Sequence, residues 1–223
     1  MRIVEKPFIS IQGEGQLMNT PTLFVRTAGC NLAEKGMPCN YCDTSYSWYL
    51  KDGKEVETDK LLKDIDLIMI KQCLRHVCLT GGEPLFQPDA VQVIKHLSRA
   101  HLLSVETNGS LPIWHTKAMW SMDIKCPSAG NHEEALFENI AKLKPTDQLK
   151  FVISDRNDFD YAVSVVRKWG THCLVFFQPA WKTLPPQLLV EWLLADKVTR
   201  SVSNIRLGMQ SHKIIWPHRK RGV

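Results

Sequence analysis

Strand-like and helix-like segments alternate along most of this 223-residue chain. Short, β-rich segments bounded by Gly, Pro or Asn predict strands at 22–27, 76–79, 102–105, 120–124, 149–153, 173–177 and 205–207. Helical patterns lie between them at 58–72, 88–100, 132–143, 159–169 and 186–197, with a weaker one at 112–118. This alternation is typical of parallel strands joined by helical crossovers and predicts an α/β fold.

The length of the chain limits the architecture. About six to seven parallel strands fall short of the eight in a full (β/α)8 barrel, which typically takes about 250 residues. With 44% hydrophobic and 23% charged residues, the chain can bury a sizeable core. We therefore predict a partial, modified (β/α) barrel formed by a single domain over residues 1–223.

Polar residues follow each predicted strand. The strand-end segments are Gly29-Cys30, Thr80-Gly81-Gly82-Glu83-Pro84, Glu106-Thr107-Asn108-Gly109, Lys125-Cys126-Pro127-Ser128, Ser154-Asp155, Gln178-Pro179 and Gln210-Ser211-His212-Lys213. In a barrel the carboxyl ends of the strands share one face, where active sites are built. The sequence therefore predicts one site on that face.

Three of the seven cysteines cluster in a loop at 28–44. Cys30, Cys39 and Cys42 form a Cys-x8-Cys-x2-Cys arrangement with no fourth cysteine close by. A structural zinc site uses four protein ligands, whereas a four-iron cluster held by three cysteines leaves one iron open to a small molecule. The other four cysteines lie in or beside apolar runs and are predicted to be buried small hydrophobes: Cys73, Cys78, Cys126 and Cys173.

Charge and hydropathy favour a cytoplasmic location. Residues 1–15 carry charges and no apolar stretch of signal-peptide length, and no segment reaches the roughly 18 apolar residues of a membrane span. The net charge of +5 is partly local to the tail at 218–221, which we interpret as a solvated tail rather than a nucleic-acid surface. A basic patch could also receive an acidic electron-transfer protein.

The Gly81-Gly82-Glu83-Pro84 segment follows a strand and precedes a helix. Paired glycines let the backbone approach a ligand closely, and Glu83 could accept hydrogen bonds from an amine. Most Gly-Gly pairs are simply turns, so this segment indicates a binding function only in combination with the three cysteines.

Together with Glu106-Thr107-Asn108-Gly109, these motifs resemble the radical S-adenosylmethionine (SAM) superfamily. The resemblance implies that Cys30, Cys39 and Cys42 hold a [4Fe–4S] cluster whose open iron binds SAM. It also implies that SAM is contacted by Tyr41, Cys42, Asp43, Gly82, Glu83, Glu106, Asn108, Cys126, Pro127, Ser128, Gln178 and Pro179.

Within that superfamily the chain resembles the 7-carboxy-7-deazaguanine synthases. The motifs are the enlarged first cysteine spacer, Phe8-Ile9-Ser10-Ile11-Gln12-Gly13-Glu14-Gly15, Arg26-Thr27-Ala28-Gly29-Cys30-Asn31-Leu32, Cys42-Asp43-Thr44 and Gln210-Ser211-His212-Lys213. The resemblance implies a lyase that converts 6-carboxy-5,6,7,8-tetrahydropterin to 7-carboxy-7-deazaguanine and ammonia, a step of queuosine and other 7-deazapurine biosynthesis. It further implies SAM regeneration, assistance by Mg2+, a flavodoxin- or ferredoxin-type electron donor, a homodimer and no direct contact with nucleic acid.

The residues expected at the substrate each allow a simpler interpretation. Gln12, Gly13 and Glu14 offer acceptors to an amino-pyrimidinone edge, or form a flexible turn with a solvated Glu. Arg26 would pair with the substrate carboxylate, or with a structural carboxylate. The resemblance adds Thr80 and His212 to the substrate contacts, although His212 could be a surface residue.

Thr44 is the expected magnesium residue. A hard cation takes oxygen ligands and keeps several waters, so one hydroxyl and the substrate carboxylate could attach Mg2+. The alternative is a helix N-cap, for which Thr is common.

Two rival functions remain open. A radical SAM activase that forms a glycyl radical on a partner would share the cluster, whereas the Gln12 and Glu14 loop with Arg26 favours a small anionic heterocycle. A zinc-stabilised RNA-binding protein would hold one zinc in place of four irons.

Overall fold

The computed structural model describes residues 1–219 and 221–222 and contains one ten-stranded sheet. Its strands follow the order β10-β9-β8-β7-β6-β5-β3-β1-β4, with β2 also paired to β3. The strands are β1 Arg2–Ile3, β2 Phe8–Ile11, β3 Pro21–Thr27, β4 Lys54–Glu55, β5 His76–Gly81, β6 Leu102–Thr107, β7 Met119–Asp123, β8 Gln148–Ile153, β9 Leu174–Pro179 and β10 Ile205–Leu207.

Seven consecutive neighbours in this sheet are parallel: β3, β5, β6, β7, β8, β9 and β10. The short strands β1, β2 and β4 add antiparallel pairings at the β3 side. Within the described residues no pairing joins β10 to the opposite edge, so the sheet is open. The predicted partial barrel is thereby confirmed.

The α-helices lie between the strands and after the last strand in the chain. They are α1 Asn31–Glu34, α2 Thr58–Lys71, α3 Ala90–Ala100, α4 Arg156–Trp169, α5 Pro186–Ala195, α6 Lys197–Ser201 and α7 Ser211–Ile215. Helix α2 shows why such helices dock, because it buries Leu61, Leu62, Ile65 and Met69, spaced along one face, in the same core as the sheet residues. None of the described helices has both the length and the apolar composition needed to cross a bilayer.

The predicted helix at 132–143 is wrong. The segment instead forms two 3-10 turns, His132–Glu134 and Phe137–Lys142. The buried Asn139 side chain donates to the carbonyls of Gly109 and Leu111 and accepts from the Ile113 amide. These tertiary contacts hold the segment against the loop after β6 in place of a continuous helix.

The weaker helix at 112–118 is also absent from the structure. Side chains bind the backbone carbonyls that a helix would use, because Trp120 donates to the Trp114 carbonyl and Lys144 to those of Thr116 and Ala118. The predicted helix at 186–197 ends at Ala195, and Asp196 then caps α6 by accepting from the Thr199 amide.

Three of the four remaining cysteines are buried as predicted: Cys78, Cys126 and Cys173. Cys73 is exposed, which corrects the prediction. It follows α2 with a φ of 52°, and the amides of Cys73 and Leu74 bond back to the carbonyls of Ile70 and Met69. This is the left-handed helix end that usually carries glycine, and it places Cys73 at the surface.

Candidate active site

One cavity of about 640 Å³ opens at the carboxyl ends of the parallel strands. Each predicted strand-end segment contributes to its lining except Ser154-Asp155. The loop at 38–44 and the segments 11–14 and 210–213 complete the wall. The structure therefore brings the separate motifs together around a single space, as the barrel geometry requires.

Cys30, Cys39 and Cys42 all line this cavity and are half-buried. They lie close enough for a charge on Cys39 to act on both of the other thiols. Burial raises the pKa of Cys30 and of Cys42, which makes the uncoordinated thiolates unfavourable.

The donor set of this trio suits a cluster better than a single ion. Within the described residues no three His, Cys, Asp or Glu side chains converge as ligands of one metal ion, and no fourth cysteine lines the cavity. Thiolates of a four-iron cluster bind separate irons and need not converge on one point. The residues fit a three-cysteine [4Fe–4S] site and do not match the four-ligand structural zinc site of the rival function.

The loop at 12–14 is joined to the C-terminal segment. The Ser211 amide donates to the Gly13 carbonyl at 2.9 Å, and Gln210 Nε2 donates to Glu14 Oε1 at 2.6 Å. The His212 ring packs so closely on Gly13 that any Cβ there would overlap it. The glycine is therefore needed for close approach, and the loop is not a flexible turn.

Glu14 is paired with Lys150, a residue that the sequence analysis missed. Lys150 Nζ lies 2.6 Å from Glu14 Oε2, and both side chains are less than one-fifth exposed. Burial disfavours the Glu14 carboxylate, but the Lys150 ammonium and its hydrogen bond outweigh that penalty and lower the pKa to about 2. Glu14 therefore stays ionised. A lone lysine inside the apolar strand β8 was the available signal, since a buried charge needs a partner.

Asp123 and Lys125 extend this charged row. The sequence placed Lys125 on the site face without a role, and it gave no sign of Asp123. Lys125 Nζ lies 2.9 Å and Lys150 Nζ 3.5 Å from Asp123 Oδ2. Acidic and basic side chains thus alternate along the cavity wall from Glu14 to Lys125. The other oxygen, Asp123 Oδ1, is buried without a hydrogen-bond partner among the described residues.

Gln12, Thr80 and Glu106 form one hydrogen-bonded group. Gln12 Nε2 donates to Glu106 Oε1 at 3.2 Å, and Thr80 Oγ1 donates to Glu106 Oε2 at 3.0 Å. The resemblance divided these residues between SAM and substrate, but the structure links them directly. Because the Gln12 amide nitrogen is held by Glu106, its oxygen remains an acceptor.

Arg26 lines the cavity and is 11% exposed. Glu5 Oε1 lies 3.5 Å from Arg26 Nε, within ion-pair range, yet the side chain makes no hydrogen bond within the described residues. The rings of Phe8 and Tyr46 flank the guanidinium at 5.8 and 5.9 Å. Arg26 thus has a structural partner and retains donors for a second carboxylate.

Thr44 also lines the cavity, and its hydroxyl donates to Asp43 Oδ1 at 3.0 Å. It precedes a short 3-10 turn, Ser45–Ser47, but makes no side-chain cap bond there. Thr44 thus occupies the N-cap position, but its hydroxyl does not supply the cap bond that the alternative requires. Asp43 is in turn paired with Lys213, which outweighs burial and lowers the Asp43 pKa.

Among the remaining SAM candidates, Tyr41, Gly82, Asn108 and Gln178 line the cavity. The structure does not bring five others to it: Glu83, Cys126, Pro127, Ser128 and Pro179. Cys126 is in the hydrophobic core, and the Ser128 side chain bonds to Asp155.

Glu83 departs from its predicted role for a clear reason. It is fully buried, and its carboxylate accepts from the amides of Asn108 at 2.7 Å and Leu85 at 3.0 Å. Burial raises its pKa to about 7 despite these bonds. The side chain therefore connects two strand-end loops and does not reach the cavity.

Comparison with known proteins agrees with this geometry. Residues 24–122 match the Radical SAM superfamily. A 7-carboxy-7-deazaguanine synthase of Thermoplasma acidophilum is 36% identical over 220 residues, covering 96% of this chain and 97% of that protein. The corresponding enzyme of Clostridium acetobutylicum is 32% identical, covering 100% and 99%.

The crystal structure of QueE from Escherichia coli has the same fold, with a TM-score of 0.69 at 21% identity over 95% of this chain and 94% of that one. Fold likeness and nearly full-length sequence similarity thus agree with the three-cysteine cavity. The chain belongs to the 7-carboxy-7-deazaguanine synthase family of the radical SAM superfamily.

Proposed function

We propose that this protein converts 6-carboxy-5,6,7,8-tetrahydropterin to 7-carboxy-7-deazaguanine with loss of ammonia. The observation that carries the proposal is the single cavity, which joins three clustered cysteines to a wall of fixed charges and amides. The 36% identity to a 7-carboxy-7-deazaguanine synthase over nearly the whole chain supports the same activity.

The cysteine side of the cavity would hold the cofactors. Cys30, Cys39 and Cys42 would bind the cluster, with Tyr41, Gly82, Asn108 and Gln178 placed to contact SAM. When bound, the cluster and SAM would supply the radical chemistry that activates C6 of the substrate, with no net consumption of SAM. The chain supplies orientation and shields the site from water.

The opposite side would bind the pterin. The Gln12 oxygen, which points away from Glu106, and the ionised Glu14 carboxylate accept hydrogen bonds from the amino-pyrimidinone edge. Arg26 pairs with the substrate carboxylate by its remaining donors. Burial lowers the pKa of His212, so its imidazole is a neutral hydrogen-bonding group against the ligand.

Anaerobic turnover tests the proposal directly. Protein reconstituted with iron and sulfide is expected to form 7-carboxy-7-deazaguanine from the carboxylated pterin, detected by mass spectrometry, with the SAM concentration unchanged. A protein that cleaves SAM but leaves the pterin intact would favour the activase function. One zinc per chain and no iron would contradict a radical SAM activity altogether.

The proposal also includes a magnesium ion, an electron-donor protein and a homodimeric active form. Thr44 would ligate Mg2+ through its hydroxyl while the substrate carboxylate binds the ion from the other side. A flavodoxin- or ferredoxin-type protein would deliver the electron, and the active form would be a homodimer, which analytical ultracentrifugation tests.

Thr44→Ala is expected to lower turnover at limiting Mg2+ and to recover partly in excess Mg2+. Because the hydroxyl makes no helix-cap bond, the free energy of unfolding should change by less than the ~1 kcal/mol of a lost cap. Ser45→Ala, which removes the neighbouring exposed hydroxyl, is the matched control and should keep the magnesium dependence of the parent. Equal magnesium dependence in all three proteins would remove Thr44 from the metal site.

A further inference from the structure

A side-chain N–H donor lies at two of the three clustered cysteine sulfurs, those of Cys30 and Cys39. Asn108 Nδ2 is 3.7 Å from Cys30 Sγ, and Asn131 Nδ2 is 3.3 Å from Cys39 Sγ. The two donors come from separate parts of the chain, so local sequence does not force the pattern.

Other contacts fix which end of each asparagine amide faces its sulfur. Asn108 Oδ1 accepts from the amide and the hydroxyl of Ser110 at 3.0 and 2.6 Å, which turns Nδ2 toward Cys30. Asn131 is 4% exposed, and its Nδ2 also donates to the Met37 carbonyl at 2.9 Å. At Cys39 the nitrogen is the nearer end, because Asn131 Oδ1 lies 3.8 Å from Sγ and can accept only from a protonated thiol, which a cluster-bound thiolate is not.

Donors at these sulfurs have a definite effect on redox chemistry. A [4Fe–4S] cluster gains one negative charge when it is reduced, and part of that charge resides on its thiolate ligands. An N–H group directed at a thiolate therefore stabilises the reduced form more than the oxidised form. Hydrogen bonds to the sulfurs are among the main determinants of the reduction potential of such clusters.

We propose that Asn108 and Asn131 are positioning residues that raise the reduction potential of the cluster and so ease its reduction by an external donor. The inference rests on the proposed cluster ligation by Cys30, Cys39 and Cys42. It gives Asn108 a second role besides the predicted SAM contact, and it gives Asn131 a role that the sequence analysis did not find.

The experiment compares Asn131→Ala with Asn40→Ala in anaerobically reconstituted protein. Asn40 adjoins Cys39 in the same loop, but its amide donates to the Ser128 carbonyl and not to a sulfur. In a redox titration with dithionite, followed by electron paramagnetic resonance, Asn131→Ala should lower the ratio of reduced to oxidised cluster about tenfold at a fixed potential. This equals a midpoint shift of about −59 mV for one electron.

The control Asn40→Ala should keep the parent midpoint. Two further variants, Asn131→Gln and Asn108→Ala, extend the comparison. Asn131→Gln, which retains an amide N–H, should recover part of the shift. Asn108→Ala should shift the midpoint in the same direction, because the Asn108 contact with Glu83 uses the backbone amide and survives the substitution.

A purely structural role predicts a different result. Asn131 would then only hold the Met37 carbonyl, and its loss would reduce iron per chain or melting temperature while the remaining clusters kept the parent midpoint. That result, or loss of iron from both Asn131→Ala and Asn108→Ala, would overturn the proposed effect on the reduction potential. If the parent protein contains iron and the variants keep its midpoint potential, this inference alone is contradicted. If the parent protein contains no iron, the proposed function is contradicted as well.

Discussion

Cys39→Ala is expected to lose the iron–sulfur cluster and, with it, all detectable cleavage of SAM. Cys30, Cys39 and Cys42 are the only cysteines that line the cavity within the described residues, so no other thiol can take the place of one that is removed. Cys30→Ala and Cys42→Ala should behave alike. Iron and sulfide analysis, visible absorbance and SAM cleavage under reducing conditions measure the effect.

Cys73→Ala is the matched control for these variants. Cys73 is exposed at the end of α2, and it does not line the cavity. It should retain parent iron content and SAM cleavage. Full iron content in any of the three cavity variants, or loss of the cluster from the control, would contradict the ligand assignment.

The fold was largely predictable because each parallel strand is short, β-rich and closed by Gly, Pro or polar residues. The helix prediction for the segment at 132–143 was wrong for a physical reason. It is rich in Glu, Ala and Leu, which favour helix, yet the buried Asn139 amide ties it to the loop after β6. Propensity is a weak guide where tertiary hydrogen bonds compete with it.

The site was predictable where short motifs carry it and unpredictable where distant residues meet. The cysteine loop, the Gln12 to Glu14 loop and His212 all reach the cavity. Lys150 was missed because its partner Glu14 lies 136 residues away, and Asn131 because an asparagine outside any motif gives no signal. The error at Glu83 is the reverse. Its motif predicted a contact with SAM, but the buried carboxylate instead bonds to the amides of two loops.

Lys150→Met is expected to destabilise the protein and to abolish turnover while the cluster still assembles. The substitution keeps most of the unbranched side chain but leaves the Glu14 carboxylate buried without its cation. Breaking a buried pair in this way costs about 3–5 kcal/mol. Chemical denaturation measures the free energy of unfolding, and iron analysis with pterin turnover separates the cluster from the substrate side.

Lys35→Met provides the control, because Lys35 pairs with Glu134 at 2.7 Å, almost the same distance, but is 56% exposed. A surface pair contributes about 0–1 kcal/mol, so a comparable loss in both variants would show that burial is not the cause. The double variant Lys150→Met with Glu14→Gln should regain stability, since Gln210 can still bond to a neutral amide. Turnover should stay low, because the ionised acceptor is gone.

The pH dependence identifies charge as the origin of the effect. In the parent, Lys150 lowers the pKa of Glu14 from 4.5 to about 2, so the pair stabilises the fold above the unfolded pKa and loses that contribution as the pH falls toward 2. Without Lys150, burial instead raises the pKa of Glu14, and protonation relieves the unpaired charge. The stability difference between parent and Lys150→Met should therefore shrink from pH 7 to pH 3. A difference that stays constant over this range would assign the loss to packing of the lysine stem, since packing does not titrate.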